Sequence, residues 1–146
     1  MPASPEPRAE RDLVLSAEGS AVFAFEDFAD GLDFLPPIDR CRIKIAGSEI
    51  LDNIVKHASP LDGGTLRVRA ARRGGSVTLA FYFRSTSFAS FASGEGAFGE
   101  GPASREPFFD PTHRRWRGIG LVMCRNLSTR LVFRPGSRMD RIFLEF

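Results

Sequence analysis

Four side chains that could do chemistry lie close together in the segment GSEILDNIVKHAS, residues 47–59. Glu49, Asn53 and His57 are spaced at i, i+4 and i+8, so in a helix they form one polar stripe, which Lys56 borders. A carboxylate can orient or deprotonate a hydroxyl group or a water molecule, and an amide oxygen is a hard ligand that suits Mg²⁺. The spacing is typical either of a site for such chemistry or of the solvent-facing edge of an amphipathic helix.

Two glycines in RGIGL, residues 117–121, lie where a loop is expected to become a helix. Glycine lets the backbone approach a ligand closely, and the first turn of a helix offers unpaired N–H groups and a partial positive charge. Such a turn would suit the phosphates of a nucleotide that the polar stripe also contacts. Taken alone the motif is weak, because glycines also serve ordinary turns.

The elements that would position these residues follow an α+β order: a strand, two helices, two strands, a long loop, a helix and two strands. Helices are predicted over residues 20–32, from PPID at 36–39 to about Ala58, and over 118–131. Strands are predicted for the segments DLVLSA, TLRVRAA, SVTLAFYF, LVFRPG and RIFLEF. We therefore expect a two-layer sandwich in which helices cover one face of a mixed, mostly antiparallel sheet. The second helix carries its apolar stripe at Ile43, Ala46, Ile50, Ile54 and Ala58.

The chain of 146 residues predicts a single domain over residues 12–146, after a loose, proline-rich tail at 1–11. Residues 84–115 are rich in Gly, Ser and Pro, and they also contain five phenylalanines. A loop of this length is usually functional or disordered. Its position just before the glycine motif suits a lid, and its phenylalanines suit a partner surface.

The composition narrows the class of protein. Hydrophobic residues make up 42% of the chain, which is typical of a soluble globular domain, and no apolar run is long enough to span a membrane. The N-terminus lacks a signal-peptide pattern, so a cytoplasmic location is expected. Cys41 and Cys124 lie in apolar, helix-like surroundings and are predicted to be small core residues. Without a Cys/His cluster, a zinc site is not expected.

The basic residues leave open the hypothesis that the chain binds nucleic acid. The densest run is HRRWR, residues 113–117, which is interpreted either as a solvated loop or as a phosphate or nucleic-acid contact. This hypothesis ranks last, because the sequence displays no basic and aromatic platform beyond Trp116 and its arginines.

The pattern E-x-x-x-N-x-x-K-H-A, from Glu49 through Ala58, resembles the N-box of a known ATP-binding domain. That domain is shared by histidine kinases, gyrase B, the heat-shock chaperone of this fold and MutL, which form the GHKL superfamily. RGIGL resembles its last glycine box, and the order of elements agrees from about residue 12 to 146. Within the superfamily the chain is most similar to the small bacterial anti-sigma-factor serine kinases. The resemblance implies a Bergerat-type, histidine-kinase-like ATPase fold.

The resemblance also implies ATP and Mg²⁺ as cofactors and a role for each motif residue. Asn53 would be the Mg²⁺ ligand, and Glu49 would be the catalytic base or the carboxylate that orients water. Lys56 or His57 would lie near the phosphates, and residues 84–115 would form the ATP lid. The phosphate-side turn would consist of Gly118 and Gly120 with their neighbours Arg117, Ile119 and Leu121.

The sequence departs from the family where the adenine base should be recognised. The family has an Asp-x-Gly motif whose Asp accepts a hydrogen bond from adenine, and the alignment places Phe83 at the Asp and Ser85 at the Gly. A phenyl ring cannot accept that bond, and SVTLAFYF and the residues after it supply no carboxylate up to Phe91. A lost polar contact of this kind costs on the order of 1–3 kcal/mol. The base pocket is therefore expected to be impaired or altered.

Two hypotheses follow from the resemblance. The first is a bacterial, cytoplasmic regulator of transcription that resembles anti-sigma-factor serine kinases and acts by partner switching. The alternative is an active ATP-dependent serine/threonine kinase that phosphorylates an anti-anti-sigma protein. The implied partners are a sigma factor, an anti-anti-sigma (STAS) protein or both, and family precedent favours a homodimer through the first strand and helix. Neither a membrane nor direct nucleic-acid contact is expected.

Overall fold

The computed structural model describes residues 8–57, 60–61, 64–85, 108–111, 115–117 and 119–146. The elements are β1 (Arg8–Ser16), α1 (Ala21–Asp30), α2 (Pro37–His57), β2 (Thr65–Arg73), β3 (Ser76–Phe83), β4 (Phe108–Asp110), β5 (Arg115–Arg117), α3 (Ile119–Leu127), β6 (Arg130–Arg134) and β7 (Asp140–Glu145). Five strands form one sheet in the order β1-β2-β3-β7-β6, and two short strands, β4 and β5, form a separate hairpin. Every strand pair within the described residues is antiparallel, so the expected α+β fold is confirmed and its sheet is more uniform than the mixed one expected.

The core lies between the helices and one face of the sheet. Alternate residues of the central strands point to the helices and are buried, while their neighbours point to the opposite face. The apolar stripe predicted for α2 is confirmed at Ile43, Ala46, Ile50 and Ile54, which are fully buried, and Ala58 lies outside the described residues. This burial fixes which way α2 faces, and hence where its polar stripe points.

A glycine of α2 allows the two long helices to pack closely. A Cβ atom at Gly47 would overlap the ring of Phe25, a fully buried residue of α1. The Phe25 ring centroid also lies 6.0 Å from that of Phe81 on β3. One aromatic side chain therefore links α1, α2 and the sheet, and it fixes the start of the polar stripe two residues later.

Three details differ from the sequence predictions. The helix predicted over 118–131 ends at Leu127, and its last two predicted residues belong to β6. Strand β1 begins at Arg8, inside the segment expected to be a loose tail, because β2 extends to Arg73 and offers pairing partners that far along. Cys124 is buried as predicted, but the prediction for Cys41 is wrong, since that residue is exposed. Position 41 lies two residues before Ile43 and off the apolar stripe of α2.

Candidate functional site

The two motifs that suggested nucleotide chemistry meet in space. The carboxylate of Glu49 lies directly against Gly120 in the first turn of α3: a Cβ atom at Gly120 would overlap Glu49 Oε2 and would lie 3.2 Å from its Cδ. Glu49 is half-buried in this position. Any side chain at 120 would meet the carboxylate, so the glycine of the second motif directly accommodates the acid of the first.

The next turn of α3 also packs against α2 and so supports the contact between Glu49 and Gly120. Cys124 is buried, and its thiol donates a hydrogen bond of 3.4 Å to the carbonyl oxygen of Ala46 on α2. Burial raises the pKa of the Cys124 thiol to about 12, and the nearby charge of Glu49 adds to the rise. The thiol is therefore neutral at physiological pH and contributes by packing between α3 and α2.

The position of Glu49 has a structural and a chemical interpretation. A carboxylate beside the first turn of a helix is stabilised by the unpaired N–H groups and the helix dipole, so Glu49 can serve α3 itself. The same turn also attracts anionic ligands, and glycine at 120 keeps its backbone open to them. The chemical interpretation requires that the carboxylate and a phosphate share this turn.

The remaining residues of the α2 stripe are placed differently. Asn53 is half-buried one turn after Glu49, on the same side of the helix. Lys56 is exposed, and its Nζ lies 2.7 Å from Oδ2 of Asp52, one turn back along α2. His57 is the last residue of α2, and its side chain lies outside the described part. The structure thus brings Glu49 and Gly120 together, with Asn53 adjacent, whereas roles for Lys56 and His57 stay predictions.

The other residues of the glycine motif are only partly described. Arg117 ends β5, and Ile119 and Leu121 belong to the first turn of α3, but their side chains lie outside the described part. Gly118 also lies outside it. Of the predicted lid, residues 86–107 and 112–114 lie outside the described part, and the strands β4 and β5 pair as a hairpin. The lid role therefore stays a prediction.

The base end of the predicted pocket is occupied by the core. Phe83 is the last residue of β3 and is only 2% exposed. It belongs to the same hydrophobic cluster as Leu66 and Ile142 on the neighbouring strands. At the position that the sequence resemblance aligns with an adenine-binding Asp, this chain has a buried ring.

A carboxylate nevertheless reaches this end from the neighbouring strand. Asp140 of β7 pairs directly with Phe83 and is the one buried charged residue of the described part. Its Oδ2 accepts hydrogen bonds from the backbone N–H and the hydroxyl of Ser85, at 3.2 and 3.1 Å. Its Oδ1 accepts one from the N–H of Gly136 at 3.2 Å. Asp140 therefore fastens the end of β3 to the turn before β7.

Sequence reasoning missed Asp140, although a signal was present. In DRIFLE the apolar residues Ile142 and Leu144 alternate with exposed or half-exposed ones, and Asp140 falls on their buried side. A charged residue on the core face of a strand needs hydrogen-bond partners. Only the pairing of β3 with β7 shows that Ser85, expected at a glycine position, is one of them.

The donor chemistry fits a magnesium–phosphate group better than a protein-only metal site. Within the described residues, no three His, Cys, Asp or Glu side chains are grouped to hold a metal ion. Mg²⁺ in nucleotide sites takes most of its ligands from phosphates and water, with one or two from the protein. The amide of Asn53, one turn after the carboxylate of Glu49, could supply the one or two protein ligands that such a site needs.

No helix of the described part is long and apolar enough to cross a bilayer.

No protein-family model and no curated protein sequence matches the chain. Among solved structures the chain is similar to the crystal structure of the RsbU and RsbW domains of Rv1364c from Mycobacterium tuberculosis. The TM-score is 0.59 and the sequence identity is 19% over 95% of this chain. The match covers 32% of that chain, so the present chain spans about a third of its length. At this identity the likeness establishes the fold alone, which is an α+β fold.

Proposed function

We propose that the chain is a regulator of the anti-sigma-factor type that acts by partner switching and binds nucleotide mainly through phosphates. The observation that carries the proposal is the contact between the Glu49 carboxylate and Gly120, because it joins the two motifs at the start of α3. The fold likeness to a structure that contains an RsbW domain supports the regulatory class. The proposed setting is the bacterial cytoplasm, with a sigma factor or an anti-anti-sigma protein as partner.

The phosphate end retains the groups that the proposed chemistry needs. Asn53 would hold Mg²⁺ through its amide oxygen, and the open backbone at Gly120 would face the phosphates. In the kinase alternative, ATP bound there would supply a phosphoryl group for transfer to a serine hydroxyl, and ADP would leave. Glu49, half-buried next to that turn, is the group able to accept the proton of the hydroxyl.

The base end has lost the group that discriminates adenine. Phe83 is packed in the core, and the nearby carboxylate of Asp140 is engaged by three donors from Ser85 and Gly136. We therefore expect ATP, a nucleotide with another base and a triphosphate without a base to bind with similar affinity. Weak nucleotide binding suits a protein that works mainly by exchanging partners.

Calorimetric titration tests this proposal with three ligands, Mg-ATP, Mg-GTP and Mg-tripolyphosphate. All three are expected to bind with similar affinity, and Asn53→Ala is expected to weaken each by about tenfold or more, which is about 1.4 kcal/mol. Asn126→Ala, at an exposed position of α3, is the matched control and should leave the heats unchanged. If none of the three ligands gives a heat of binding at millimolar concentration, the proposed phosphate site is wrong. ATP binding tenfold tighter than the others would show a working base pocket.

The alternative, an active serine/threonine kinase, is favoured by the accessible carboxylate at the phosphate end. Incubation with radiolabelled ATP and a purified anti-anti-sigma protein tests it. Label on a serine of the partner that disappears in Glu49→Gln would establish the kinase. Complex formation by surface plasmon resonance without any label would support the regulator that only binds.

A further inference from the structure

The face of the sheet opposite the helices carries a row of three arginines, one tyrosine and one valine that crosses all five strands. The strand register places Arg67 of β2 beside Tyr82 of β3, then Arg141 of β7 and Arg134 of β6, with Val14 of β1 at the other end. Neighbouring strands lie about 4.8 Å apart, so the row spans roughly 19 Å. The three arginines are exposed. We call these five residues the basic row.

Like charges face each other within the basic row. Arg134 and Arg141 are direct cross-strand partners, and within the described residues neither has a carboxylate partner. Like charges that stand opposite each other on adjacent strands destabilise a sheet. The guanidinium of Arg67 lies 4.8 Å from the centroid of the Tyr82 ring, and within the described residues it makes no direct ion pair. An anionic partner would relieve this repulsion.

The surrounding face has the same sign of charge. Seven arginines and three carboxylates point to this side of the sheet, while the whole chain carries a net charge of only +2. In the neighbouring row the charge of one arginine is neutralised, because Arg69 donates hydrogen bonds of 2.7 and 2.8 Å to the two carboxylate oxygens of Asp12. The seven arginines are Arg8, Arg67, Arg69, Arg73, Arg130, Arg134 and Arg141, and the carboxylates are Glu10, Asp12 and Glu145.

The chemistry of the face favours nucleic acid over an acidic protein. A stable protein interface needs an apolar centre that can be dried, but here Ala80 is 5% exposed and Phe143 and Val132 are only half-exposed. Arginine forks bind phosphates, and aromatic rings on a sheet stack with unpaired bases. Guanidinium groups also stack on bases, so Arg67 and Tyr82 can enter one stack with a base. An open sheet of this kind suits a single strand, whose bases are free to stack.

We propose that the basic row binds single-stranded nucleic acid, with Arg67, Arg134 and Arg141 at phosphates and Tyr82 stacked with a base. The site lies on the opposite side of the sheet from the helices that carry Glu49 and Asn53. It is therefore independent of the proposed nucleotide site, and each can fail alone. The proposal reverses the low rank given to nucleic acid from the sequence, because the platform takes one residue from each strand.

Fluorescence anisotropy with labelled 15-nucleotide oligo(dT) and oligo(rU) tests the proposal on the full chain at low and moderate salt. The double variant Arg134→Gln with Arg141→Gln is expected to lose at least about tenfold in affinity and to lower the salt slope by about 1.4, since each single-strand phosphate contact contributes about 0.7. The variant Tyr82→Leu is expected to lose about fivefold or more through stacking. Circular dichroism checks that each variant is folded.

The control removes two charges from the helix side, with Arg40→Gln and Arg42→Gln on α2. It is expected to change affinity less than twofold. An equal loss in the control would show non-specific attraction and overturn the assignment. So would the absence of any anisotropy change at tens of micromolar protein in low salt. Competition by poly-glutamate as strong as by unlabelled oligonucleotide would assign the face to an acidic protein instead.

Discussion

Two carboxylates mark the two ends of the candidate nucleotide site, and the structure holds them in different ways. Asp140 is 6% exposed and accepts three hydrogen bonds, two of them from backbone N–H groups. Glu49 is half-buried and lies against a glycine at the start of a helix. The same functional group therefore has a structural role at the base end and a position open to chemistry at the phosphate end.

If the proposed function is correct, this difference explains how the chain could keep the phosphate half of a nucleotide site without the base half. With Phe83 in the core, the carboxylate that arrives beside it is used to tie Ser85 to Gly136. At the other end the first turn of α3 remains lined by a small residue. Because the two halves do not share side chains, the loss of one does not require the loss of the other. Substitutions at each end should therefore separate stability from binding.

The largest effect is expected for Asp140→Ala. The substitution leaves the N–H and hydroxyl of Ser85 without their buried acceptor, and it removes the bond to Gly136. We expect the free energy of unfolding to fall by about 2–3 kcal/mol, as measured by urea denaturation. Ser85→Ala removes the hydroxyl bond alone and should cost about 1 kcal/mol. A loss below about 0.5 kcal/mol for Asp140→Ala would contradict the structural role.

The next effect tests the helix that presents Glu49. In Gly47→Ala the new methyl group meets the ring of Phe25, which is fully buried and cannot move aside. Over-packing of this kind costs about 1–3 kcal/mol, and the better helix propensity of alanine recovers about 1 kcal/mol. Thermal and urea unfolding should therefore show a net destabilisation. A gain in stability would mean that α1 and α2 separate easily.

Gly120→Ala should act on binding rather than on stability. Here the new methyl group meets the tip of a flexible side chain, and Glu49 can rotate away. We expect stability to change by less than about 1 kcal/mol, because alanine also favours the helix, while phosphate binding falls by about tenfold. The measurements are urea denaturation and calorimetry with Mg-tripolyphosphate. Unchanged binding would assign Glu49 to α3 alone.

The two cysteines provide the control for that variant. Cys41 is exposed, whereas burial and the Glu49 charge raise the pKa of the Cys124 thiol to about 12. With a chromogenic disulfide reagent at pH 8, one thiol per chain should react rapidly in both wild type and Gly120→Ala, and Cys41→Ser should abolish it. Rapid reaction of a second thiol in Gly120→Ala would show that α3 has moved away from α2.

The helices and the core could be predicted from the sequence, since burial leaves a periodic trace along a single element. Helix α2 runs from Pro37 to His57, close to the predicted span that ends near Ala58. Features that depend on pairing between distant strands left no such trace. Asp140 meets Ser85, and Arg134 meets Arg141, only because β7 lies between β3 and β6. The approach of Glu49 to Gly120 was suggested by the chemistry of the two motifs and by the resemblance, and not by periodicity.

The smallest effect concerns an exposed carboxylate, which sharpens the comparison with Asp140. The hydrogen bonds from Arg69 lower the pKa of the Asp12 carboxyl, so the folded state favours the ionised form. The stabilisation from this pair is present above the pKa of Asp12 in the unfolded chain, near 3.9, and is lost as the pH falls through the lower folded value. Arg69→Gln should therefore be less stable than wild type at pH 7, and the difference should vanish near pH 2. Both side chains are partly exposed, at 33% and 37%, so salt should reduce the difference at pH 7. A difference that persists at acid pH would mean that Arg69 stabilises the sheet by packing rather than by its charge.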